Sequence, residues 1–440
     1  MQSILPAANR VRIARRWSLV PSHNALVVGF VIASAFGLGI STRAADPLTI
    51  QVVACDAHVQ SHKRGVGANK LDEADFRALA PGVSWFYNWG NTTDERSPSG
   101  AHMEFIPMVW NDTQGSLDGV DSYLRDADPK PRAILAINEP NLRGQAFIPP
   151  QQTADLFRKV QEIGSRYGIP VVGPNMALGS STGDSITAMD PIQNKSVTYT
   201  DMDSFLKAFF FDLQNQPVAG VGVHSYGGIG ELKWAVESTH KEFNVPIWVT
   251  EYADWNAPDV DAAREYLMQA SDYLERTPYV AGYAWFKERS DNPKISLLAQ
   301  DPGVLSPLGQ AYVNMPVHDP SLYYQIPGRL QAASYFDLGD GDIVIANNRI
   351  LVTATSATTV AQYHIQVDRP GAYNLELCML GPGRINLAEN NQVIGSVTAD
   401  KNEVQFLTAA VKLPAGPQTL VVRFSAAGQV LSSINFTQAP

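Results

Sequence analysis

Residues 133–141 read Ala-Ile-Leu-Ala-Ile-Asn-Glu-Pro-Asn, and residues 246–252 read Pro-Ile-Trp-Val-Thr-Glu-Tyr. Each is a short, continuous apolar run of strand length that passes directly into a glutamate, Glu139 or Glu251. Continuous apolar runs of this length are typical of strands buried on both faces, as in parallel sheets covered by helices. The two segments therefore predict a parallel α/β fold with a carboxylate at the end of each strand.

Further apolar runs surround these two segments and alternate with amphipathic stretches up to residue 312. The helical spacing of Leu156, Val160 and Ile163 places these three side chains on one face of a predicted helix. Eight strand-helix units predict an α/β (β/α)8 TIM barrel rather than an open sheet. The predicted strands cover residues 49–54 (continuing towards 64–67), 83–89, 105–110, 133–138, 170–173, 218–226, 246–252 and 280–286.

The helical periodicity of apolar residues stops after the proline-containing segment 316–320. Short strand-like runs then alternate with turns rich in glycine, proline and asparagine, as at residues 369–371 and 414–417. This pattern predicts an all-β sandwich domain of jelly-roll type with about eight strands. We therefore expect a signal peptide at residues 1–45, a barrel at 46–319 and a sandwich at 320–440.

The first 45 residues carry five arginines and no acidic residue, and a 16-residue apolar run, 25–40, follows four of them. This order predicts an export signal and a secreted, periplasmic or cell-surface protein, with an uncleaved membrane anchor as the alternative. Removal of the segment takes the formal net charge from −10 to about −15. Such an acidic protein is a poor partner for nucleic acid or an anionic membrane. Cys55 and Cys378 suggest two unpaired thiols, with a bridge between domains as the alternative.

Glu139 and Glu251 form the candidate catalytic pair. Cleavage of a glycosidic bond uses one carboxyl group to protonate the leaving oxygen and another to attack or to activate water. The carboxyl ends of barrel strands meet at one face, so two glutamates at strand ends can reach a shared cleft. Their separation would distinguish retention from inversion. The alternative is that Glu139 and Glu251 are solvated loop residues without a catalytic role.

Polar and aromatic side chains at other strand ends are the candidates for substrate binding. Asn138 can bind a sugar hydroxyl, and either His224 or Tyr226 can donate a hydrogen bond to the attacking carboxylate. Aromatic faces at strand ends can stack on sugar rings, although large aromatics more often pack in a core. The aromatic candidates are Trp85, Tyr87, Trp110 and Trp285.

Several segments, in order, resemble glycoside hydrolase family 128: Lys63–Gly67, Val83–Gly90, Phe105–Trp110, Ile137–Asn141, Val223–Gly227, Pro246–Tyr252 and Tyr283–Phe286. The resemblance implies a retaining β-1,3-glucanase that acts on β-glucan polysaccharide or oligosaccharide, with Glu139 as acid/base and Glu251 as nucleophile. A hydrolase of another β-linked polysaccharide and a noncatalytic glycan-binding protein are the alternatives. No metal or other cofactor is predicted.

The C-terminal region resembles carbohydrate-binding modules of families 6 and 35 at Ile326–Ala332 and Gln362–Tyr373. The resemblance implies a sugar-binding module. All eight tryptophans precede residue 286, so the region offers no indole to a sugar ring. A purely structural appendage is therefore the alternative for this region.

Overall fold

The structure, a computed structural model, describes residues 50–214 and 216–439. The predicted signal at residues 1–45 lies outside them. The strands of the N-terminal part are β1 (Gln51–Ala54), β2 (Ser61–Gly67), β3 (Val83–Tyr87), β4 (Glu104–Phe105), β5 (Met108–Val109), β6 (Ile134–Ala136), β7 (Val171–Met176), β8 (Ile186–Asp190), β9 (Lys195–Tyr199), β10 (Gly220–Ser225), β11 (Ile247–Tyr252) and β12 (Val280–Phe286). The helices are α1 (Glu73–Leu79), α2 (Gln114–Asp126), α3 (Pro150–Tyr167), α4 (Met202–Leu213), α5 (Ile229–Phe243), α6 (Val260–Arg276), α7 (Pro307–Val313) and a 3-10 turn, Pro293–Ile295.

Nine of these strands form one curled parallel sheet in the order β4-β3-β2-β12-β11-β10-β7-β6-β5. The two terminal strands of this sheet, β4 and β5, are consecutive in the chain and are separated only by Ile106 and Pro107. Helices α2, α3, α5 and α6 pack against its strands. The predicted α/β class is confirmed as a curled parallel sheet with helices, and the predicted face of α3 is buried.

The first predicted barrel strand is wrong for residues 49–54, whereas its predicted continuation at 64–67 lies in β2. Strand β1 pairs in parallel with a strand of the C-terminal region, with Gln51 opposite Leu322, and the first strand of the curled sheet is β2. Val52 is 46% exposed, so this run is not a doubly buried strand. An apolar run indicates a strand but carries no information on its partner, because pairing is decided by elements distant in sequence.

The C-terminal region is built from strands alone. These are β13 (Leu322–Ile326), β14 (Gly328–Gln331), β15 (Asp337–Leu338), β16 (Gly341–Ala346), β17 (Arg349–Ala354), β18 (Val360–Val367), β19 (Gly371–Leu380), β20 (Gly383–Glu389), β21 (Gln392–Ala399), β22 (Gln405–Leu413), β23 (Gly416–Phe424) and β24 (Val430–Gln438). One sheet has the order β1-β13-β18-β23-β20-β21, and the other β16-β17-β24-β19-β22. Alternate side chains from both sheets meet in one core, as in a sandwich. The strands outnumber the eight expected, because several are short.

A small aromatic core fills the inside of the curled sheet away from the strands' carboxyl ends. Trp85 and Trp248 pack edge to face there, with ring centroids 5.5 Å apart. Gly65 on β2 makes room for this pair, since a Cβ at that position would lie 2.2 Å from the Trp85 ring. The carboxyl ends of the strands are thereby left to form a cleft. None of the described helices is long and apolar enough to cross a membrane.

A buried polar cluster joins helix α6 to the segment that leads into the C-terminal sheets. Asp272 Oδ1 lies 3.0 Å from His318 Nε2 and accepts a hydrogen bond of 2.8 Å from the Tyr335 hydroxyl. The His318 ring stacks on Tyr335 with centroids 4.1 Å apart. Burial alone would raise the pKa of Asp272, but the hydrogen bond and charge of His318 hold it below its usual value.

Candidate active site

A cleft of about 570 Å³ opens at the carboxyl ends of the parallel strands. Glu139, His224 and Glu251 form its polar floor, and each of these side chains is buried. Trp110 and Phe286 belong to its aromatic wall. The cleft thus lies where successive loops of a parallel α/β sheet converge, and both predicted glutamates line it.

Glu139 follows β6 in an unusual backbone conformation. Ile137 has φ of 65° and Glu139 has φ of 43°, in the left-handed region that is unfavourable for a β-branched residue above all. Backbone hydrogen bonds to neighbouring segments hold this turn in place. The Glu139 amide donates to the Asn175 carbonyl at 2.7 Å, and the Asn138 backbone amide donates to the Trp110 carbonyl at 3.0 Å. The strained turn aims the Glu139 carboxylate into the cleft.

Glu251 on β11 is surrounded by donors. Trp89 Nε1 donates to Oε1 at 2.7 Å and the Tyr226 hydroxyl donates to Oε2. The Tyr87 hydroxyl shares its proton between the Thr250 carbonyl at 2.9 Å and Glu251 Oε1 at 3.3 Å. Burial and the charge of Glu251 raise the pKa of both tyrosines well above the usual value, so both hydroxyls stay protonated donors. The three donors fix the direction of the Glu251 carboxylate.

His224 lies between the two carboxylates. Its Nδ1 is 2.8 Å from Glu139 Oε1 and 3.4 Å from Glu251 Oε2, and its Nε2 is 3.0 Å from Thr250 Oγ1. Burial alone would lower the pKa of His224, but the charge of Glu251 and the hydrogen bond to Glu139 raise it. An oxygen of Glu139 and one of Glu251 lie within 4.8 Å of each other.

The same three side chains carry atom types that can bind a metal ion. Their nearest oxygen and nitrogen atoms all lie within 4.8 Å of one another. Hydrogen bonds to Tyr226, Trp89 and Thr250 already engage these atoms, however. The cluster is accounted for as two carboxylates bridged by a histidine, which suits acid/base and nucleophilic chemistry.

Comparison with known proteins identifies the family of this chain. The family described as "Glycosyl hydrolase catalytic core" matches residues 65–312, more than half of the chain. The chain belongs to this glycosyl hydrolase family. It is an enzyme of the glycosyl hydrolase class, and the matched residues include both glutamates of the cleft.

Individual relatives of this glycosyl hydrolase are bacterial and fungal. A family 128, subgroup II endo-β-1,3-glucanase from Sorangium cellulosum is 32% identical, with 58% of this chain and 100% of that chain covered and a TM-score of 0.50. A subgroup II enzyme from Pseudomonas viridiflava is 30% identical, with 59% and 100% covered and a TM-score of 0.49. The alkali-sensitive linkage protein 1 of Schizosaccharomyces pombe is 21% identical over 243 residues, which are 53% of this chain and 40% of that relative.

Most of the predicted site residues of this glycosyl hydrolase come together in the cleft. Asn138, His224, Tyr226 and Trp110 line it with the two glutamates. Tyr87 is fully buried beneath the cleft and contacts Glu251 rather than open space. Its position therefore favours a role in orienting the carboxylate over direct contact with a sugar.

Two predicted substrate-binding residues are corrected. Trp85 is fully buried in the core inside the sheet and donates to the Lys63 carbonyl at 2.9 Å. Trp285 is fully buried on the other side of the sheet, against Tyr252, with ring centroids 5.0 Å apart. Neither indole lines the cleft. Trp85 points to the inside of the sheet but lies too deep in the core to reach the cleft. Trp285 points to the opposite face of the sheet, because successive side chains of a strand alternate between the two faces.

Several site residues were missed. Phe286 lines the cleft one residue after the buried Trp285, and strand parity could have distinguished the two. The hydrogen bond that Trp89 donates to Glu251 was not predicted either. Asn175 on β7 is fully buried and accepts from the Thr250 hydroxyl at 3.1 Å. No local sequence pattern marks it, because its role depends on strands that are distant in sequence.

Proposed function

We propose that this glycosyl hydrolase cleaves β-1,3-glucan with retention of the anomeric configuration, with Glu139 as acid/base and Glu251 as nucleophile. The observation that carries the proposal is that one carboxylate oxygen of Glu139 lies within 4.8 Å of one of Glu251. Retaining enzymes hold the two carboxyl groups about 5–5.5 Å apart, whereas inverting enzymes need roughly 6.5–9.5 Å to admit a water molecule. The short separation supports direct attack by Glu251.

The donors around each carboxylate support this assignment of roles. Glu251, aimed by Tyr226 and Trp89, attacks the anomeric carbon while Glu139 gives its proton to the departing glycosidic oxygen. Glu139, now ionised, then accepts a proton from a water molecule. The oxygen of this water attacks the anomeric carbon, and the bond between that carbon and Glu251 breaks. Asn138 Oδ1 is buried and has no hydrogen-bond partner among the described residues, so it is placed to accept from a sugar hydroxyl.

The choice of β-1,3-glucan is supported by the relatives. The Sorangium cellulosum enzyme, 32% identical, is described as an endo-β-1,3-glucanase. An aromatic wall that includes Trp110 and Phe286 suits the apolar faces of a glucan chain. We also propose that the curled sheet closes as a (β/α)8 barrel through residues 104–109, since its two terminal strands are consecutive there.

The organisation of the whole chain is also a proposal. We infer that residues 1–45 direct export, that the catalytic domain lies within 46–319 and that residues 320–440, together with strand β1, form a separate module. The resemblance of that module to carbohydrate-binding modules remains a prediction, since the family match ends at residue 312.

The test is product release from β-1,3-glucan, mixed-linkage glucan and mannan by protein beginning at residue 46, with Glu251→Ala as the control. We expect release from β-1,3-glucan, loss of release in the variant and partial recovery with azide, which can replace the missing nucleophile. Proton NMR of the first product formed should show the β anomer. Release of the α anomer first would overturn the retaining mechanism, and an active Glu251→Ala variant would overturn the assignment of the nucleophile.

A further inference from the structure

A chain of buried hydrogen bonds lies beneath the two carboxylates. It runs from the Ala136 carbonyl to Asn175, then to Thr250, His224 and Glu139. Asn175 is 0% exposed, and Thr250 and His224 are each 1% exposed, so hydrogen bonds to solvent do not compete with these contacts. Because solvent is excluded, the direction of each bond is decided by the groups themselves.

The Asn175 amide fixes the direction at one end of this chain. The group that contacts the Ala136 oxygen at 3.0 Å must be the amide nitrogen, since a carbonyl oxygen only accepts hydrogen bonds. Asn175 Oδ1 therefore faces Thr250 Oγ1, 3.1 Å away, as an acceptor. The Thr250 hydroxyl has a single proton and donates it to Asn175.

This direction passes on to the histidine. With its proton committed to Asn175, Thr250 Oγ1 can only accept from His224 Nε2, 3.0 Å away, so Nε2 carries a proton. The other ring nitrogen, Nδ1, lies 2.8 Å from Glu139 Oε1, and this contact needs a second proton between the two atoms. His224 and Glu139 thus share the proton that an acid catalyst must supply.

We propose that Asn175 and Thr250 are positioning residues that hold His224 in the Nε2–H form and thereby retain the shared proton at Glu139 for transfer to the glycosidic oxygen. The inference rests on the proposed function for its catalytic consequence. The protonation of His224 Nε2 does not depend on the proposed function and can be measured without substrate.

The consequence follows from what happens when the shared proton is lost. Either Nδ1 keeps no proton and its lone pair faces the Glu139 carboxylate, or the proton on Nε2 moves to Nδ1. In the second case Thr250 must turn its hydroxyl towards Nε2 and leave Asn175 Oδ1 buried without a donor. Both outcomes are unfavourable, so the hydrogen-bond chain opposes deprotonation and extends activity to higher pH. After proton transfer, the unprotonated Nδ1 makes ionised Glu139 a stronger base towards water.

Other charged and titratable groups around His224 act in all variants alike. Glu251 faces the ring from β11 at 3.4 Å, and Tyr87 and Tyr226 contact Glu251. Glu231 lines the cleft, and Lys287 lies 5.9 Å from the Trp89 ring. Replacing Thr250 alters none of these charges, so a change in pH dependence reports on the hydrogen-bond chain.

The packing of β10 is an independent sign that the strands are built around the Asn175 amide. Gly222 is the residue opposite Asn175, and a Cβ there would lie 2.0 Å from Asn175 Oδ1. The absence of a side chain on Gly222 thus gives the amide the space in which it meets Thr250.

The kinetic test compares the pH profiles of kcat/KM on soluble β-1,3-glucan for the wild type, Thr250→Val and Thr250→Ser. Thr250→Val keeps the shape of the side chain but removes the hydroxyl, and we expect the alkaline limb to move down by about one pH unit. Thr250→Ser restores the hydroxyl and should restore the limb. Thr153→Val is the matched control, because it removes a buried hydroxyl on α3 that donates to the Ile148 and Pro149 carbonyls. This variant should leave the alkaline limb in place.

Nitrogen NMR of protein labelled with 15N-histidine gives a readout without substrate, with His224→Gln used to assign the signal. We expect a protonated Nε2 at neutral pH in the wild type and a proton moved from Nε2 in Thr250→Val. An unprotonated Nε2 in the wild type would overturn the proposal, as would a Thr250→Val enzyme that is slower by the same factor at every pH. A wild type without glucanase activity would instead refute the proposed function and leave the NMR result to decide on the histidine.

Discussion

At the scale of single residues, Trp89 connects the nucleophile to the aromatic wall. Its indole nitrogen donates to Glu251 at 2.7 Å, and its ring meets Phe286 edge to face with centroids 5.7 Å apart. A hydrogen bond to a charged group contributes more than one between neutral groups, and the buried position strengthens it. Trp89 therefore orients the carboxylate and shapes the cleft at once.

Replacing Trp89 by phenylalanine should lower kcat on β-1,3-glucan by roughly ten- to a hundredfold, because the charge-assisted hydrogen bond contributes about 1.5–3 kcal/mol. The ring that packs on Phe286 is retained. Steady-state kinetics measure the change, with Trp234→Phe as the control, since Trp234 is 55% exposed on α5. Equal kcat values for wild type and Trp89→Phe would show that the donor has no part in catalysis.

Glu139→Ala should act differently on different leaving groups. Glucans have a poor leaving group that needs a proton, whereas an aryl glycoside with an acidic phenol does not. We expect the variant to lose on the order of a thousandfold in kcat/KM on glucan and about tenfold or less on the aryl substrate. Parallel assays of both substrates check this, and equal losses would assign Glu139 a role other than proton donor.

At the scale of elements, β7 and β10 approach each other closely where Gly222 faces Asn175. We predict that Gly222→Ala destabilises the fold by about 1–3 kcal/mol, because the added methyl group overlaps the buried amide. Gly230→Ala is the matched control, since a Cβ there meets no atom within 4 Å and alanine favours helix α5. Thermal unfolding of both variants measures the difference, and a Tm for Gly222→Ala at or above that of the control would contradict the described contact.

Strand positions could be predicted from sequence, whereas strand partners and side-chain depth could not. The apolar runs before Glu139 and Glu251 placed both glutamates correctly, because doubly buried strands leave a strong local signal. The run that became β1 carries a similar signal but pairs with β13. Trp85 and Trp285 likewise lie near strand ends, and only the packing of neighbouring strands decides which indoles reach the cleft.

At the scale of the whole molecule, Asp272 connects helix α6 with the segment before the C-terminal sheets. His318 Nδ1 lies 2.6 Å from the Tyr335 carbonyl, which only accepts hydrogen bonds, so Nδ1 carries a proton. His318 Nε2 lies 3.0 Å from Asp272 Oδ1, and Arg276 Nε lies 3.5 Å from Oδ2. A carboxylate buried among such partners stabilises the folded state only while it is ionised.

The pH dependence of stability tests this contact. The pKa of Asp272 is lowered in the folded protein, so its contribution is present above the ordinary carboxyl pKa near 4 and is lost as the pH falls further. Asp272→Asn should cost about 3–5 kcal/mol at neutral pH and flatten the loss of stability in acid. Denaturant unfolding between roughly pH 3 and 7 measures both effects. The exposed Asp126→Asn serves as control, and a loss of stability as large as that of Asp272→Asn would contradict this account.

The pairing of β1 with β13 also constrains the order in which the chain can fold during synthesis. Residues 51–54 emerge before any strand of the curled sheet, but their partner, residues 322–326, emerges only after the last of them. The nascent protein can therefore assemble its catalytic sheet while this early strand still has an open edge, which is a site for mispairing with other chains. A pause in synthesis after the curled sheet has emerged, but before residues 322–326 leave the ribosome, would hold the enzyme in that half-finished state.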